Sequence, residues 1–330
     1  MTVFWARHCF DSHGFQFVIL LYILMHLTSQ NVIYAHWVSV PGTTPYYRSQ
    51  CRIDFLSESF EWLRDQHVVF IGDSVSRYMY LNFAFLVTQR RFAPHLQDGG
   101  FPSISNERTW QSWKSFYINT SKIFGGMERC DCFRPDHSAF TALNTFENRY
   151  LFVPALNLNV TYLQLFGLHP MSFRNPVGYN TNHLLTSENY GPKLANYQGP
   201  PEETLARVFN ILPKASLAIV NSGAWLEDGQ THTNHYFSLI STVEEHVASL
   251  NAKLVWRTTT APFASDDAVK TLLKSSSRWE ILDTNSMVNE IRKETPWIAW
   301  DEKWHVQSFV YEETIRILLG RMTLVCEKFD

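Results

Sequence analysis

Three short stretches of this chain combine residue types in the way covalent catalysis requires. The first is Gly72-Asp73-Ser74, which ends an apolar run over residues 67–71 and is followed at once by a helical pattern. A strand that turns sharply into a helix lifts the serine hydroxyl off the sheet edge. It also sets it at a helix N-terminus, where free N–H groups favour a developing negative charge. The plainer alternative is a serine that caps the helix. A serine nucleophile needs a base, and the base needs an orienting acid. His305 follows Asp301 and Glu302 by four and three residues. One helical turn or a tight loop brings either carboxylate beside the imidazole and fixes the tautomer that accepts a proton from Ser74. Otherwise His305 is one of 13 histidines, on a mixed-charge surface turn. The third stretch is Asn221-Ser222-Gly223, directly after the apolar residues 217–220. A side-chain amide at the carboxyl end of a buried strand can donate to an oxyanion; an Asn-Ser-Gly turn is the alternative.

Together, Gly72-Asp73-Ser74, Asn221 and the Asp301/Glu302–His305 cluster resemble the SGNH (GDSL-like) hydrolase superfamily. A wider series of stretches is similar to one branch, the PC-esterase and trichome-birefringence-like proteins, which includes polysaccharide O-acetyltransferases. They are residues 51–55, 60–64, 69–77, 159–166, 220–225, 255–260 and 281–283, so the resemblance spans about residues 46–310. It implies acyl transfer through a serine ester, with Ser74, His305 and Asp301 as the triad. It also implies an oxyanion hole made of the Ser74 N–H, the Asn221 amide and one glycine N–H. Gly126 is the candidate for that glycine, with Gly125 and Gly167 as alternatives. In this branch acid and base are spaced Asp-x-x-His. Here Glu302 holds the acid position and Asp301 sits one residue earlier, so Glu302 is the alternative acid.

The implied reaction is acetyl transfer to polysaccharide or glycan hydroxyls from an acetyl donor, with no bound cofactor and no metal. With water as acceptor, the same triad gives a carbohydrate acetyl esterase. The shifted acid spacing also allows a catalytically dead glycan-binding protein on the same fold. Trp225 and Trp304 flank the site stretches and are candidates for stacking on sugar faces. Arg77 and Arg257 are candidates for an anionic donor or sugar acid, or else ion-pair partners. Asp283, after an Ile-Leu strand, reads as a turn residue.

The elements that would position these residues alternate between strand and helix from about residue 67 to 322. Strands are predicted at 67–72, 217–220, 254–257 and 281–282, and the resemblance implies a further one at 159–166. Helices are predicted at 78–87, 203–209, 239–250, 288–293 and 311–326. This repetition predicts an α/β fold, a three-layer α/β/α sandwich with a mostly parallel central sheet. Residues 88–150 and 168–202 are polar and irregular and read as long loop insertions over the site. A chain of 330 residues with 45% hydrophobic content can bury one large core, so residues 36–330 are read as a single catalytic domain. A net charge of −3 gives no electrostatic reason to expect nucleic acid as a partner.

Arg7 and His8 precede an apolar run over residues 15–27, the pattern of a signal peptide with residues 33–35 as a cleavage site. Extension through residues 15–34 would instead make a signal anchor. Either delivers the rest of the chain to the secretory lumen, held in the Golgi or secreted. Cys9 precedes the run, which leaves Cys51, Cys130, Cys132 and Cys326 as an even set for disulfides. Cys130 and Cys132 stand close for direct pairing, so each is expected to reach Cys51 or Cys326. Cys130, Cys132 and His137 have the wrong spacing for a common structural zinc site. Sequons at Asn119 and Asn159 are compatible with lumenal exposure.

Overall fold

The computed structural model describes residues 35–38, 46–49, 60–94, 104, 112–133, 146–165, 205–206, 208–210, 212–222, 232–260, 266–274, 276–294 and 305–322. A hairpin of β1 (Ala35–Val38) and β2 (Tyr46–Ser49) comes first. The chain then forms β3 (His67–Gly72), α1 (Ser74–Gln89), α2 (Trp113–Ile123), β4 (Glu128–Phe133), β5 (Phe146–Val153) and β6 (Leu158–Gln164). Beyond these lie β7 (Ala215–Val220), α3 (His232–Thr242), β8 (Ala248–Arg257), α4 (Asp267–Leu273), β9 (Trp279–Leu282), α5 (Thr284–Glu294) and α6 (Ser308–Met322).

Strands β3 to β9 form one seven-stranded sheet in the order β4-β5-β6-β3-β7-β8-β9. The five strands from β6 to β9 are parallel, and β4 and β5 extend the β6 edge antiparallel. Every residue of β3 is buried, and its side chains alternate between two cores. Val68 and Phe70 pack with α1, α2, α5 and α6, whereas Val69 and Ile71 pack with α3, α4 and residues 205–209. A strand apolar on both faces requires such cover, and the predicted three-layer α/β sandwich is the fold observed.

The order of the parallel strands positions the site. In chain order, β3, β6, β7, β8 and β9 stand in space as second, first, third, fourth and fifth. The chain leaves β3 into α1 on one face, and the helix after β7 lies on the other. The carboxyl ends of β3 and β7 therefore flank the crevice where doubly wound sheets bind their ligands. Ser74 follows β3, and Asn221 follows β7.

Two predicted boundaries are corrected. Residues 88–150 are not wholly an irregular insertion, because they contain α2, β4 and the first part of β5, and both strands join the sheet. Their charged residues suggest a loop, yet they are buried partners of one another. Arg149 Nη1 lies 2.9 Å from Glu128 and its Nε 2.6 Å from Glu147, while Arg77 Nη1 lies 3.2 Å from Glu147. Tyr80 and Ser121 donate hydroxyl hydrogen bonds to Glu128. Burial opposes the charge on Arg149, but the two carboxylates outweigh it and raise its pKa. Likewise, the helical periodicity over residues 239–250 does not run its full length. Helix α3 closes in a π turn at Val243–Val247, and Ala248 already begins β8.

Among the described residues no helix is long and apolar enough to cross a membrane, and residues 15–34 lie outside them. Cys130 and Cys132 are joined to each other, with Cα atoms 5.2 Å apart, which corrects the expectation that each reaches Cys51 or Cys326. Alternate residues of a strand point to one face, and this separation lies within the span a disulfide bridges. Cys51 and Cys326 lie outside the described residues.

Candidate active site

Each residue of Gly72-Asp73-Ser74-Val75-Ser76-Arg77 has a distinct place in the turn from β3 into α1. Gly72 has a φ of +156°, and a Cβ there would stand 2.3 Å from Ser76 Oγ and 2.8 Å from the Asn221 carbonyl oxygen. Only glycine meets both conditions. Asp73 caps α1: its Oδ1 accepts from the N–H groups of Val75 at 2.9 Å and Ser76 at 3.4 Å. It does not engage the N–H of Ser74. The turn is clasped from β6 by the Tyr162 hydroxyl, 3.1 Å from the Gly72 carbonyl oxygen and 3.0 Å from that of Asp73. Burial pushes the Tyr162 phenol well above its ordinary pKa, which keeps it a donor.

Ser74 is half-buried and opens α1. Its Oγ lies 2.6 Å from Nε2 of His305, a residue 231 positions later in the chain. In the neutral tautomer with the proton on Nδ1, this nitrogen accepts the serine proton. His305 lies three residues ahead of α6, and α6 packs beside α1. The Tyr78 ring, one turn along α1 from Ser74, meets the imidazole edge-on at 5.3 Å between centroids. Tyr78 also touches Tyr311 of α6, at 6.0 Å. It thus supports the histidine and joins the two helices. Sequence reasoning missed it, although its position four residues after Ser74 puts it on the same helical face.

The other predicted residues have mixed outcomes. Asn221 stands at the end of β7 beside the turn, fully buried, with its N–H on the Ile71 carbonyl oxygen. Its side-chain Nδ2 donates to the Arg257 carbonyl oxygen at 2.8 Å, so one of two amide hydrogens is already committed. Gly126 is corrected. It has a φ of +72° in the turn between α2 and β4 and lines an open cavity of about 490 Å³ with His67, Asn159 and Pro213, at the amino ends of the parallel strands. The six residues of β3 place that edge about 20 Å from Ser74, too far for an oxyanion contact. Gly125 shares the turn.

Arg77 and Arg257 are corrected as substrate-binding residues, because both are buried. Arg77 pairs with Glu147 and lies over the rings of Tyr78 at 4.4 Å and Trp113 at 5.3 Å. Arg257 faces the turn itself. Asp283 caps α5 rather than joining the site: its Oδ1 accepts from the Ser286 N–H at 3.2 Å and the Thr258 hydroxyl at 3.0 Å. Asp301, Glu302, Trp304, Trp225, Gly167 and His137 lie outside the described residues. Among those described, no group of three or more His, Cys, Asp or Glu side chains is placed to hold a metal ion.

No protein-family model matches the sequence, and no curated protein matches it either.

Proposed function

We propose that this protein is a lumenal O-acetyltransferase that acts on polysaccharide or glycan hydroxyls through a Ser74–His305 acyl-enzyme mechanism. The observation that carries this reading is the 2.6 Å contact between Ser74 Oγ and His305 Nε2, at the carboxyl end of a parallel sheet and the N-terminus of a helix. His305 takes the hydroxyl proton as Ser74 attacks the acetyl carbonyl. The resulting oxyanion is met by the Ser74 N–H, which the Asp73 cap leaves unengaged, and by the second amide hydrogen of Asn221. His305 then returns the proton to the leaving group, and a sugar hydroxyl deacylates the enzyme by the same steps in reverse. Asp301, or Glu302, orients the imidazole. The resemblance of the motif series to the PC-esterase and trichome-birefringence-like branch supplies the acetyl group and the glycan acceptor, and a signal or anchor over residues 1–35 supplies the compartment.

The test compares the wild-type protein with Ser74→Ala on an acetylated chromogenic ester, with and without a mixed glycan acceptor. The expected result is turnover that Ser74→Ala reduces by a factor of roughly 10⁴ or more, with acetyl appearing on glycan. Acetate as the sole product would make the protein an esterase. No turnover by a folded wild type would overturn both and favour a glycan-binding role.

A further inference from the structure

Beneath Ser74 the ends of four adjacent parallel strands present polar side chains where an α/β sheet ordinarily presents apolar ones. In spatial order these are Gln164 of β6, Asp73 after β3, Asn221 after β7 and Arg257 of β8, and all are buried. Gln164, Asn221 and Arg257 fall on the strand positions that face the α1 side, and the missing side chain of Gly72 leaves room among them for Ser76.

Arg257 touches both halves of this layer. Its Nη2 donates to Ser76 Oγ at 3.2 Å and stands 3.8 Å from Asp73 Oδ1, and its Nη1 donates to the Thr258 carbonyl oxygen at 3.0 Å. Its carbonyl oxygen holds the amide of Asn221. One residue of β8 thus contacts the helix cap, the first turn of the nucleophile helix and the oxyanion amide.

As a purely stabilising ion pair the arrangement is poor. Among the described residues, Arg257 Nε, Asp73 Oδ2, Asn221 Oδ1 and Gln164 Nε2 are buried without a hydrogen bond. The closest approach of the charges, at 3.8 Å, is beyond hydrogen-bond distance. Such buried polar groups are destabilising relative to an apolar layer, and they concentrate where geometry serves function.

We infer that Arg257 is the positioning residue of this site: it locks the turn that carries Ser74 to the strand end that carries Asn221. This rests on the reading of Ser74 as a nucleophile. Arg257 itself is buried and meets no substrate. It acts through Ser76 and Asp73 on one side and Asn221 on the other. A shift of about 1 Å between nucleophile and oxyanion donor costs roughly 100-fold in rate while leaving the binding surface intact.

The test uses the full-length protein as wild type, Arg257→Lys, Ser76→Ala and the double variant. Lysine keeps the charge but cannot reach Ser76 and the Thr258 carbonyl oxygen with a planar fork. For each protein, thermal unfolding is followed alongside fluorophosphonate labelling rate, kcat and KM. The expected result for Arg257→Lys is a loss of roughly 100-fold in kcat and labelling rate with KM within about twofold. For Ser76→Ala it is a loss of about 10-fold, and the double variant should be no slower than Arg257→Lys. Wild-type kcat and labelling in Arg257→Lys would overturn the inference, as would losses that multiply in the double variant. If Arg257→Lys does not fold, Ser76→Ala decides: unchanged labelling overturns the inference. A folded wild type that fails to label contradicts the Ser74 reading itself.

Discussion

At the residue scale, the short motif is a packing solution as much as a chemical one. Gly72 is present because Ser76 and the Asn221 carbonyl occupy the space of its side chain. Asp73, despite standing next to the serine, is spent on the helix cap and faces Arg257, so it is not the acid of a triad. Gly72→Ala should therefore damage both fold and site. We expect a stability loss of about 2–4 kcal/mol by urea denaturation, from the strained φ and the displaced Ser76, together with a labelling rate lower by roughly 100-fold. A variant with wild-type stability and labelling would show that the turn does not depend on glycine. Ser74, His305 and Asn221 stood out in the sequence because the residue types proposed for nucleophile, base and amide donor each have a local signature, and the structure sets Ser74 against His305 and Asn221 beside the turn. Arg257 and Tyr162 have none. Their roles come from strand register, which sets residues from three other strands around Gly72 and is invisible in any one stretch of sequence.

At the element scale, β3 is fixed at both ends. Its carboxyl end carries the turn, and its amino end is held by His67. The Nδ1 of this histidine lies 3.0 Å from the Pro213 carbonyl oxygen and its Nε2 2.9 Å from Thr161 Oγ1. Burial lowers the His67 pKa from 6.5 to about 4, against a smaller opposing effect from the Pro213 carbonyl. The folded value lies below the unfolded one. The stabilisation from a neutral His67 is therefore complete above pH 6.5 and is lost as pH falls from 6.5 through 4, by about 3 kcal/mol in all. His67→Gln should be about 1 kcal/mol less stable at pH 7, from a lost hydrogen bond, but its stability should fall less steeply between pH 7 and pH 4.5. Chemical denaturation across that range checks this, and parallel curves for the two proteins would contradict it. The elements with a strong apolar signal, such as the continuous runs of β3 and β7 and the apolar helices α1 and α6, were readable in the sequence. Strands β4 and β5 were not, because the Arg149, Glu128 and Glu147 charges that mark surface in most chains are here buried against each other. The mixed fate of residues 239–250 has a similar origin. Their apolar spacing suits a helix, but the chain must reach the sheet by Ala248.

For the whole molecule, the order of parallel strands explains why residues 231 positions apart meet. Helix α1 leaves the central strand at the crevice, and α6, at the other end of the sequence, packs beside it and delivers His305 to Ser74. The alternation of strands and helices made the layered α/β fold legible, whereas the antiparallel edge formed by β4 and β5 was hidden for the reason given above. The most direct test of the account is fluorophosphonate labelling of the full-length protein, read by intact mass and peptide mapping, for wild type and His305→Ala. We predict one adduct per wild-type chain, on Ser74, and a labelling rate lower by roughly 10³-fold or more in His305→Ala. A folded wild type that takes up no adduct, or takes it elsewhere, would contradict the account, as would a His305→Ala variant that labels at the wild-type rate.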